Sequence, residues 1–302
     1  MGESIEHVNW DIRGKLCMVT GASSGIGREI AAGLAAKGAQ VVMVCRDRLR
    51  GKAAMEEIAG CTGNNNVELL LADLSSQRQI RDLAYNYQSG HTALHVLVNN
   101  AGVIVDNREL TEDGIEKTFA VNYLAYFMLA NLLADLLKRS APARVVNLTS
   151  MVHRTVSLDF NNLQGEKRYN RDLAYAQSKL ADAVFSHELG RRLEGTGVTV
   201  NCVCPGAVSS RLWENSNRIV NGIFKSFMKG PQEGARLPVY LASAGELEGL
   251  TCRYFQTGQH LKPARVNTKG TMTRSSAETY NSEVAARLWE HSKKLTGLHY
   301  TV

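Results

Sequence analysis

Short apolar runs alternate along the chain with segments in which apolar residues recur every three or four positions. The runs predict seven β-strands, and the periodic segments predict helices between them. Nearly every residue of each run is apolar, which is typical of parallel strands buried on both faces of a sheet. The predicted strands cover residues 16–20, 41–45, 67–72, 96–99, 144–148, 198–203 and 251–255.

Helical periodicity fills the segments between these strands. Ser76 and Gln79 have the spacing of a capping box, which marks a helix start. Strands that alternate with helices predict a doubly wound, seven-stranded parallel sheet, the Rossmann fold of the α/β class. No linker or internal repeat interrupts the pattern, so residues 1–302 are interpreted as a single domain. The clearest predicted helices follow the first strand, where Ile26, Ile30 and Leu34 recur, and lie at 111–138, 173–193 and 277–295.

A glycine-rich turn joins the first predicted strand to its helix. Such a turn lets a bulky anion approach the backbone, and the helix start offers free N–H groups and the positive end of a dipole. The predicted ligand is a dinucleotide pyrophosphate. An ordinary tight turn is the alternative, since the spacing Gly-x3-Gly-x-Gly differs from the common fingerprint. The residues expected to contact the ligand are Gly21, Ser23, Ser24, Gly25, Ile26 and Gly27.

The end of the second strand indicates which dinucleotide is bound. At this point an acidic side chain usually holds the ribose 2′-hydroxyl of NAD, whereas a basic side chain suits the 2′-phosphate of NADP. Here Arg46 comes first and Asp47 follows. Asp47 has the competing role of starting the next helix, where a carboxylate is favourable. The sequence therefore favours NADP(H), with NAD(H) as the alternative.

Composition places further limits on function. The 302 residues are 44% apolar and 21% charged, which is ordinary for a globular protein. The net charge of +6 comes from dispersed residues, so we expect no nucleic-acid partner. The six cysteines include no second pair at ligand spacing, which predicts free thiols in a reducing compartment and no metal site.

Two segments bear on membranes and location. The first thirteen residues include acidic side chains and no apolar core, so they do not resemble a signal peptide. The uncharged segment 118–134 is short for a membrane span and contains Asn122 and Asn131, which favours a buried core helix. We therefore expect a cytoplasmic protein with no transmembrane segment, and the sequence leaves open whether it is a homo-oligomer.

Tyr175 and Lys179 are four positions apart in a predicted helix and thus project from the same face. A phenol has a reference pKa of about 10. A nearby ammonium stabilises the phenolate and lowers that pKa. The pair can therefore act in proton transfer, although the same spacing also occurs on a plain solvated helix face.

Together with the other motifs, this pair resembles the short-chain dehydrogenase/reductase family. The resemblance extends from the first strand to about residue 298, and it depends on the order of the motifs as well as on their residues. Within the family the chain is most similar to retinol dehydrogenase-like members, because Ser150 and Tyr175 are 25 positions apart and Cys45-Arg46-Asp47 ends the second strand. The remaining motifs are Asp73, Asn99-Asn100-Ala101-Gly102, Asn122, Lys179 and Pro205-Gly206.

The resemblance implies catalytic roles for four residues. Tyr175 would exchange a proton with the substrate oxygen, and Lys179 would lower the pKa of Tyr175 and hold the nicotinamide ribose. Ser150 would stabilise charge that develops on the substrate oxygen. Asn122 would bend the long helix and hold a water molecule in the proton relay.

The resemblance also implies further cofactor contacts, and two single positions depart from the family pattern. Thr149 stands where a second serine is usual, and Cys204 stands where a histidine often precedes Pro-Gly. The adenine would contact Asp73 and Leu74, its ribose side would contact Asn100, Ala101 and Gly102, and the nicotinamide amide would face Pro205, Val208 and Ser210.

The segment 207–230 is predicted to form a partly helical lid, because its apolar residues recur at helical spacing beside the nicotinamide site. A surface helix packed on the core is the alternative.

The leading function is an NADP(H)-dependent oxidoreductase acting on an apolar alcohol or carbonyl, such as a retinoid, a steroid or a lipid aldehyde. A catalytically weak nucleotide-binding module and a lipid carrier are the alternatives. The expected substrate contacts are Ser150, Met151, Trp213 and Phe224.

Overall fold

Eight strands lie side by side in one sheet. The computed structural model describes residues 10–206, 208, 229–257, 271–298 and 302. The strands are β1 (Leu16–Thr20), β2 (Gln40–Cys45), β3 (Val67–Leu71), β4 (Val96–Asn99), β5 (Ala143–Leu148), β6 (Val198–Cys204), β7 (Arg253–Gln256) and β8 (Thr271–Thr273). Their order in the sheet is β3-β2-β1-β4-β5-β6-β7-β8. Strands β1 to β7 are parallel, and β8 pairs antiparallel with β7.

This order confirms the doubly wound α/β fold. All seven predicted strands are present, and none of their ends shifts by more than two residues. The sheet has one strand more than predicted, because the three residues of β8 are too few to form a recognisable apolar run. The expectation of burial on both faces is wrong for β3, since this strand lies at the edge of the sheet with Glu68 and Leu71 exposed.

Helices connect the strands and cover the sheet. They are α1 (Gly25–Ala35), α2 (Arg48–Thr62), α3 (Gln77–Gly90), α4 (Lys117–Phe119), α5 (Ala125–Leu132), α6 (Ala134–Arg139), α7 (Arg171–Arg192), α8 (Pro231–Ser243) and α9 (Ser282–Thr296). The helix predicted over 111–138 is wrong as one continuous element. It begins at Lys117, passes through a π-helical turn at Ala120–Leu124 and is interrupted at Leu133. The helix predicted at 277–295 starts with a separate 3₁₀ turn at Ala277–Tyr280.

Two apolar clusters fill the spaces between the sheet and its helices. Successive residues of a strand point to opposite faces, so Met18 joins one cluster while Cys17 and Val19 join the other. The first cluster packs α3, α5, α7 and α9 on the sheet, and the second packs α1, α2 and α8. Helix α5 is buried along almost its whole length, which confirms the core helix predicted from its uncharged sequence. No helix in the described part of the chain is long and apolar enough to cross a membrane.

The six cysteines are free thiols, and four of them are buried in strands. Cys202 and Cys204 lie on the same face of β6, where they contact Tyr254 in a small apolar cluster. Within the described residues, no group of three or more His, Cys, Asp or Glu side chains is placed to hold a metal ion.

Most of the segment predicted as a lid lies outside the described residues. This applies to Ser210, Trp213 and Phe224, which were expected to contact the cofactor or the substrate. Val208 is described and buried, and it forms a parallel bridge with Lys229. The two described ends of this segment therefore lie side by side.

Candidate active site

An open cleft of about 420 Å³ at the carboxyl ends of the strands brings together most of the residues predicted to bind a dinucleotide. Ligands of parallel α/β sheets bind at this edge, next to the point where the strand order reverses, here between β1 and β4. The predicted residues that line the cleft are Gly21, Ser23, Ser24, Gly25, Ile26, Gly27, Arg46, Asp73, Leu74, Asn100, Ala101 and Gly102.

The glycine-rich turn in this cleft fits the phosphate groups of a dinucleotide. Gly25 has a φ of +59°, and a Cβ added there would meet no described atom within 4 Å, so open space faces the backbone. At Gly27 a Cβ would lie 2.3 Å from the carbonyl oxygen of Gly21, which excludes any side chain. Among the described residues, no acidic side chain and no side-chain cap occupies the start of α1. Its N–H groups are therefore available to an anion.

Thr20 holds together the two turns that form the cleft. Its Oγ1 atom accepts hydrogen bonds from the N–H groups of Asn100 (2.9 Å) and Ala101 (3.1 Å). The Asn100 side-chain amide donates in return to the Thr20 carbonyl oxygen at 2.8 Å. Asn100 thus ties the end of β4 to the end of β1. Thr20 begins the glycine-rich stretch but is not among the predicted contact residues, although a polar residue that closes an apolar strand is the signal for such a role.

Two arginines flank the part of the cleft formed by β2. The guanidinium of the exposed Arg46 lies 4.0 Å from Asp73 Oδ2, and Arg50 donates to Ser24 Oγ at 3.3 Å. Asp47 caps α2, because its carboxylate accepts a hydrogen bond of 2.9 Å from the Arg50 N–H. The helix-starting role considered for Asp47 is therefore present in the structure. Arg50 is a further cleft residue that sequence reasoning misses, although it stands four positions after Arg46.

The start of α3 orients Asp73 at the cleft. The Asp73 Oδ1 atom accepts hydrogen bonds from the N–H (2.9 Å) and the hydroxyl (2.7 Å) of Ser75. Ser76 caps α3 by accepting from the Gln79 N–H at 3.3 Å, as the capping box predicts. The Gln79 side chain, however, accepts from the Asp73 N–H at 2.9 Å instead of returning to Ser76. The capping box assigns the Gln79 side chain to the Ser76 backbone, but in the structure this side chain holds Asp73 instead.

Tyr175 and Ser150 meet at the carboxyl end of β5. Ser150 follows this strand, and Tyr175 lies near the start of α7 with only 8% of its surface exposed. The Ser150 side chain is hydrogen-bonded to the Tyr175 hydroxyl. Burial raises the pKa of Tyr175 above its ordinary value, and the bond to Ser150 opposes this rise. The phenol therefore keeps its proton and can donate it.

Lys179 lies one turn after Tyr175 on α7. Its Nζ atom donates to Asp182 Oδ2 at 2.8 Å and to the Leu148 carbonyl oxygen at 3.1 Å. The same atom lies 5.2 Å from the centre of the Tyr126 ring. The resemblance implies that Lys179 lowers the pKa of Tyr175. The structure instead places the pKa of Tyr175 above its ordinary value, because burial of the phenol outweighs the other influences.

Asn122 lies in the π-helical turn and links the cleft to α7. Its Oδ1 accepts a hydrogen bond of 2.7 Å from the Val103 N–H, and its Nδ2 donates to the Val103 carbonyl and to Ser178 Oγ, both at 3.0 Å. One turn later, the Tyr126 hydroxyl donates to the Ala101 carbonyl at 2.8 Å. The predicted irregularity in the long helix is therefore present at Asn122. It joins the dinucleotide cleft to the helix that carries Tyr175.

Both departures from the family pattern have partners at the site. The Thr149 hydroxyl donates to the Lys179 carbonyl at 2.7 Å and so fixes α7 on the end of β5. The buried Cys204 sulfur is hydrogen-bonded to the backbone N–H groups of Met151 and Gly206. These contacts hold the chain segments on either side of the Ser150–Tyr175 pair.

His153 supports the backbone at Ser150, and sequence reasoning misses it. The buried imidazole has Nδ1 at 2.6 Å from the Ser150 carbonyl oxygen and Nε2 at 2.8 Å from Ser275 Oγ. Ser275 in turn lies 2.9 Å from Thr279 Oγ1. The imidazole therefore connects the turn at Ser150 with the segment before α9.

The residues predicted near the nicotinamide and the substrate are only partly described. Pro205 is buried directly after β6, at the same edge of the sheet as the cleft. Val208 packs against α8, where a Cβ on Gly234 would lie 2.7 Å from its Cγ2 atom. Met151 is half-buried, with its sulfur 2.7 Å from Gln256 Nε2. Pro205 and Val208 do not line the dinucleotide cleft in the described structure.

The fold and the arrangement of these residues are those of a short-chain dehydrogenase. A family model described as short chain dehydrogenase matches residues 15–220. The chain belongs to this family of oxidoreductases.

Relatives and solved structures agree with this assignment. The chain is 40% identical to retinol dehydrogenase 12 of Mus musculus over 97% of its own length and 89% of the relative's. It is 42% identical to retinol dehydrogenase 11 of Homo sapiens over 94% of its own length and 86% of the relative's. A solved structure of an uncharacterised Mycobacterium paratuberculosis protein superimposes with a TM-score of 0.78 at 29% identity, covering 98% of each chain. The Pseudomonas aeruginosa RhlG complex with NADP gives a TM-score of 0.69 at 28% identity, covering 84% of this chain and 99% of that one.

Proposed function

We propose that this protein is an NADP(H)-dependent oxidoreductase that interconverts an apolar alcohol and the corresponding carbonyl compound. The observation that carries the proposal is the hydrogen bond between Ser150 and the buried, protonated Tyr175, at the sheet edge that also holds the dinucleotide cleft. A protein that only binds nucleotides has no need of a proton donor at this position.

In the proposed reaction, the Tyr175 hydroxyl donates its proton to the carbonyl oxygen of the substrate and takes it back when the alcohol is oxidised. Ser150 donates a hydrogen bond to the same oxygen and stabilises the charge that develops there. The nicotinamide cofactor, when bound, supplies or accepts the hydride. Lys179 would hold the nicotinamide ribose, and Asn122 would hold a water molecule of the relay. The residues around the glycine-rich turn would bind the pyrophosphate.

The proposed preference for NADP(H) depends on the charges around the end of β2. Arg46 is exposed at the cleft. Its guanidinium lies 4.0 Å from Asp73 Oδ2, which is too far for a strong ion pair, so the guanidinium can turn towards a 2′-phosphate. Arg50 lies on the same side. The Asp47 carboxylate already accepts the helix-capping hydrogen bond, which leaves it less suited to the ribose hydroxyls of NAD. The NADP complex of the similar RhlG protein supports the same choice.

The proposed substrate class follows from the relatives and from the chain's own apolar segment. Relatives at about 40% identity are named retinol dehydrogenases, which act on a long apolar alcohol as their name states. The segment 207–230 contains Trp213 and Phe224 and joins the described structure between Val208 and Lys229. We infer that apolar side chains of this segment, together with Met151, contribute to binding the apolar part of the substrate.

The proposal is tested by following NADPH oxidation with a panel of carbonyl compounds that includes retinal, steroid ketones and short and long aliphatic aldehydes. We expect saturable turnover, with lower KM values for the long and ring-containing compounds. Tyr175→Phe is the matched control, since it keeps the ring and removes only the transferable proton. Tight NADPH binding with no turnover of any compound would favour the nucleotide-binding module instead.

A further inference from the structure

A buried carboxylate lies directly behind Lys179, on the side away from the sheet edge. Asp182 follows Lys179 by three positions on α7 and has 0% exposed surface. Its Oδ2 atom accepts the 2.8 Å hydrogen bond from Lys179 Nζ, and Lys179 itself is only 5% exposed. The ammonium of Lys179, one helical turn after Tyr175, is therefore paired from inside the protein.

This carboxylate is costly to bury. Its second oxygen, Oδ1, has no hydrogen-bond partner among the described residues. An unpaired oxygen on a buried charge carries its full desolvation penalty, and an apolar residue would fill such a position more stably. Packing alone therefore does not explain an aspartate at position 182.

The other titratable groups that face Asp182 are neutral. Tyr123 and Tyr126 approach it from the π-helical turn and from α5, Tyr175 from α7, and Cys202 from β6. Burial raises the pKa of each of these four groups above its ordinary value. In the described structure Lys179 is thus the one opposite charge in contact with Asp182.

We propose that Asp182 is a positioning residue that holds the Lys179 ammonium through their 2.8 Å hydrogen bond, offsets its charge and thereby sets the pH range in which Tyr175 exchanges its proton with the substrate. The inference rests on the proposed function and adds the residue that sets its pH dependence. Reduction needs a phenol that gives up its proton, whereas oxidation needs a phenolate that accepts one. A lysine whose charge is offset by a carboxylate stabilises the phenolate less than an unpaired lysine does.

The charge of Asp182 acts on Tyr175 in the direction that this inference requires. Burial is the largest cause of the raised pKa of Tyr175, the hydrogen bond from Ser150 opposes the rise, and the charge of Asp182 adds to it. Burial also raises the pKa of Asp182 to about 7, against the opposing effect of Lys179. Asp182 is therefore ionised above neutral pH, in the range where Tyr175 would otherwise lose its proton.

The kinetic test compares Asp182→Asn with the wild type across pH. Asparagine keeps the shape and one hydrogen-bond acceptor for Lys179 but removes the charge. We expect the basic limb of carbonyl reduction, and the acidic limb of alcohol oxidation, to move down by roughly one pH unit. Asp172→Asn is the control, because Asp172 is an exposed aspartate on the same helix and its removal should leave both limbs in place. If the pH limbs of the wild type, Asp182→Asn and Asp172→Asn coincide, the inference is wrong.

A second readout does not depend on turnover. The ionisation of Tyr175 in the cofactor-free protein is measured as the ultraviolet absorbance of phenolate, by subtracting the titration of Tyr175→Phe from that of the wild type. We expect Tyr175 to titrate above the reference pKa of about 10, and lower in Asp182→Asn after the same subtraction. Titration of the wild-type residue near neutral pH would overturn the inference even if Asp182→Asn failed to fold. If no carbonyl is turned over, the proposed function fails while this titration still decides the role of Asp182.

Discussion

The side-chain amide of Asn122 donates a 3.0 Å hydrogen bond to the hydroxyl of Ser178, a residue 56 positions later in the chain. The same side chain forms two hydrogen bonds with the backbone of Val103. Asn122 thus joins the loop after β4, the π-helical turn and the helix that carries Tyr175 and Lys179. Its position predicts an effect on both stability and catalysis.

Asn122→Ala should lower the free energy of unfolding by about 2–4 kcal/mol, because it leaves two partly buried backbone groups of Val103 and the buried Ser178 hydroxyl without their partner. It should also lower kcat in the folded protein, since α7 loses a tie to the cleft. Urea unfolding and steady-state kinetics measure the two effects. Asn131→Ala is the matched control, because the Asn131 side chain is hydrogen-bonded to Phe127 and Val302, away from the described residues of the site. A kcat equal to that of the control would show that Asn122 acts on stability alone.

Tyr175→Phe should lower turnover by roughly 10²–10⁴, the range expected when a general acid is removed. The affinity for NADPH, measured by fluorescence titration, should stay nearly unchanged because the aromatic ring is kept. Retention of near-wild-type kcat would remove Tyr175 from the mechanism. A large loss of NADPH affinity would instead show that the hydroxyl serves the cofactor.

The wild type should prefer NADPH to NADH, and Arg46→Ala should narrow the difference in kcat/KM between them. The reason is that a guanidinium–phosphate pair is charge-assisted and is lost with the side chain. Arg28→Ala is a control, because Arg28 is paired with Glu29 and Glu57 on α1 and α2. If the wild type works better with NADH, the assignment of Arg46 is wrong and Asp47 becomes the candidate ribose ligand.

Phe224→Ala and Trp213→Ala should raise KM for long-chain or ring-containing carbonyl compounds more than for short ones. Lost apolar contact scales with the buried area, and a short aldehyde has little of it. Each variant is assayed with a short and a long aliphatic aldehyde of the same functional group. Equal effects on both substrates would leave these residues with a structural role only.

The stability of the cofactor-free protein should carry a pH dependence that comes from Asp182. The pKa of this carboxyl rises from a reference value of about 4 when unfolded to about 7 when folded. Between these values the folded state binds the additional proton, so the free energy of unfolding falls as pH rises. The fall is at most about 4 kcal/mol. Urea unfolding at a series of pH values measures this component, which Asp182→Asn should lack. If the free energy of unfolding of Asp182→Asn changes with pH in parallel with that of the wild type, the assignment is wrong.

Much of the architecture could be predicted from local patterns. A strand or helix leaves its own period in the chain, so seven strands, the buried helix α5 and the glycine-rich turn were all recognisable. The spacing of Tyr175 and Lys179 places both on one helix face for the same reason. The ends of elements were less well predicted, because caps and π-helical turns depend on single hydrogen bonds such as that from the Asp73 N–H to the Gln79 side chain.

Contacts between distant parts of the chain were decided by the tertiary structure. The bond between Asn100 and Thr20 spans 80 positions and that between Asn122 and Ser178 spans 56, and neither leaves a periodic signal. The burial of Asp182 was likewise decided by the tertiary structure. Its place on α7 is visible in the sequence, but only the packing of α5 and β6 around it removes water and makes its charge matter to Lys179. Local chemistry therefore specified which groups the site has, and packing specified their electrostatic state.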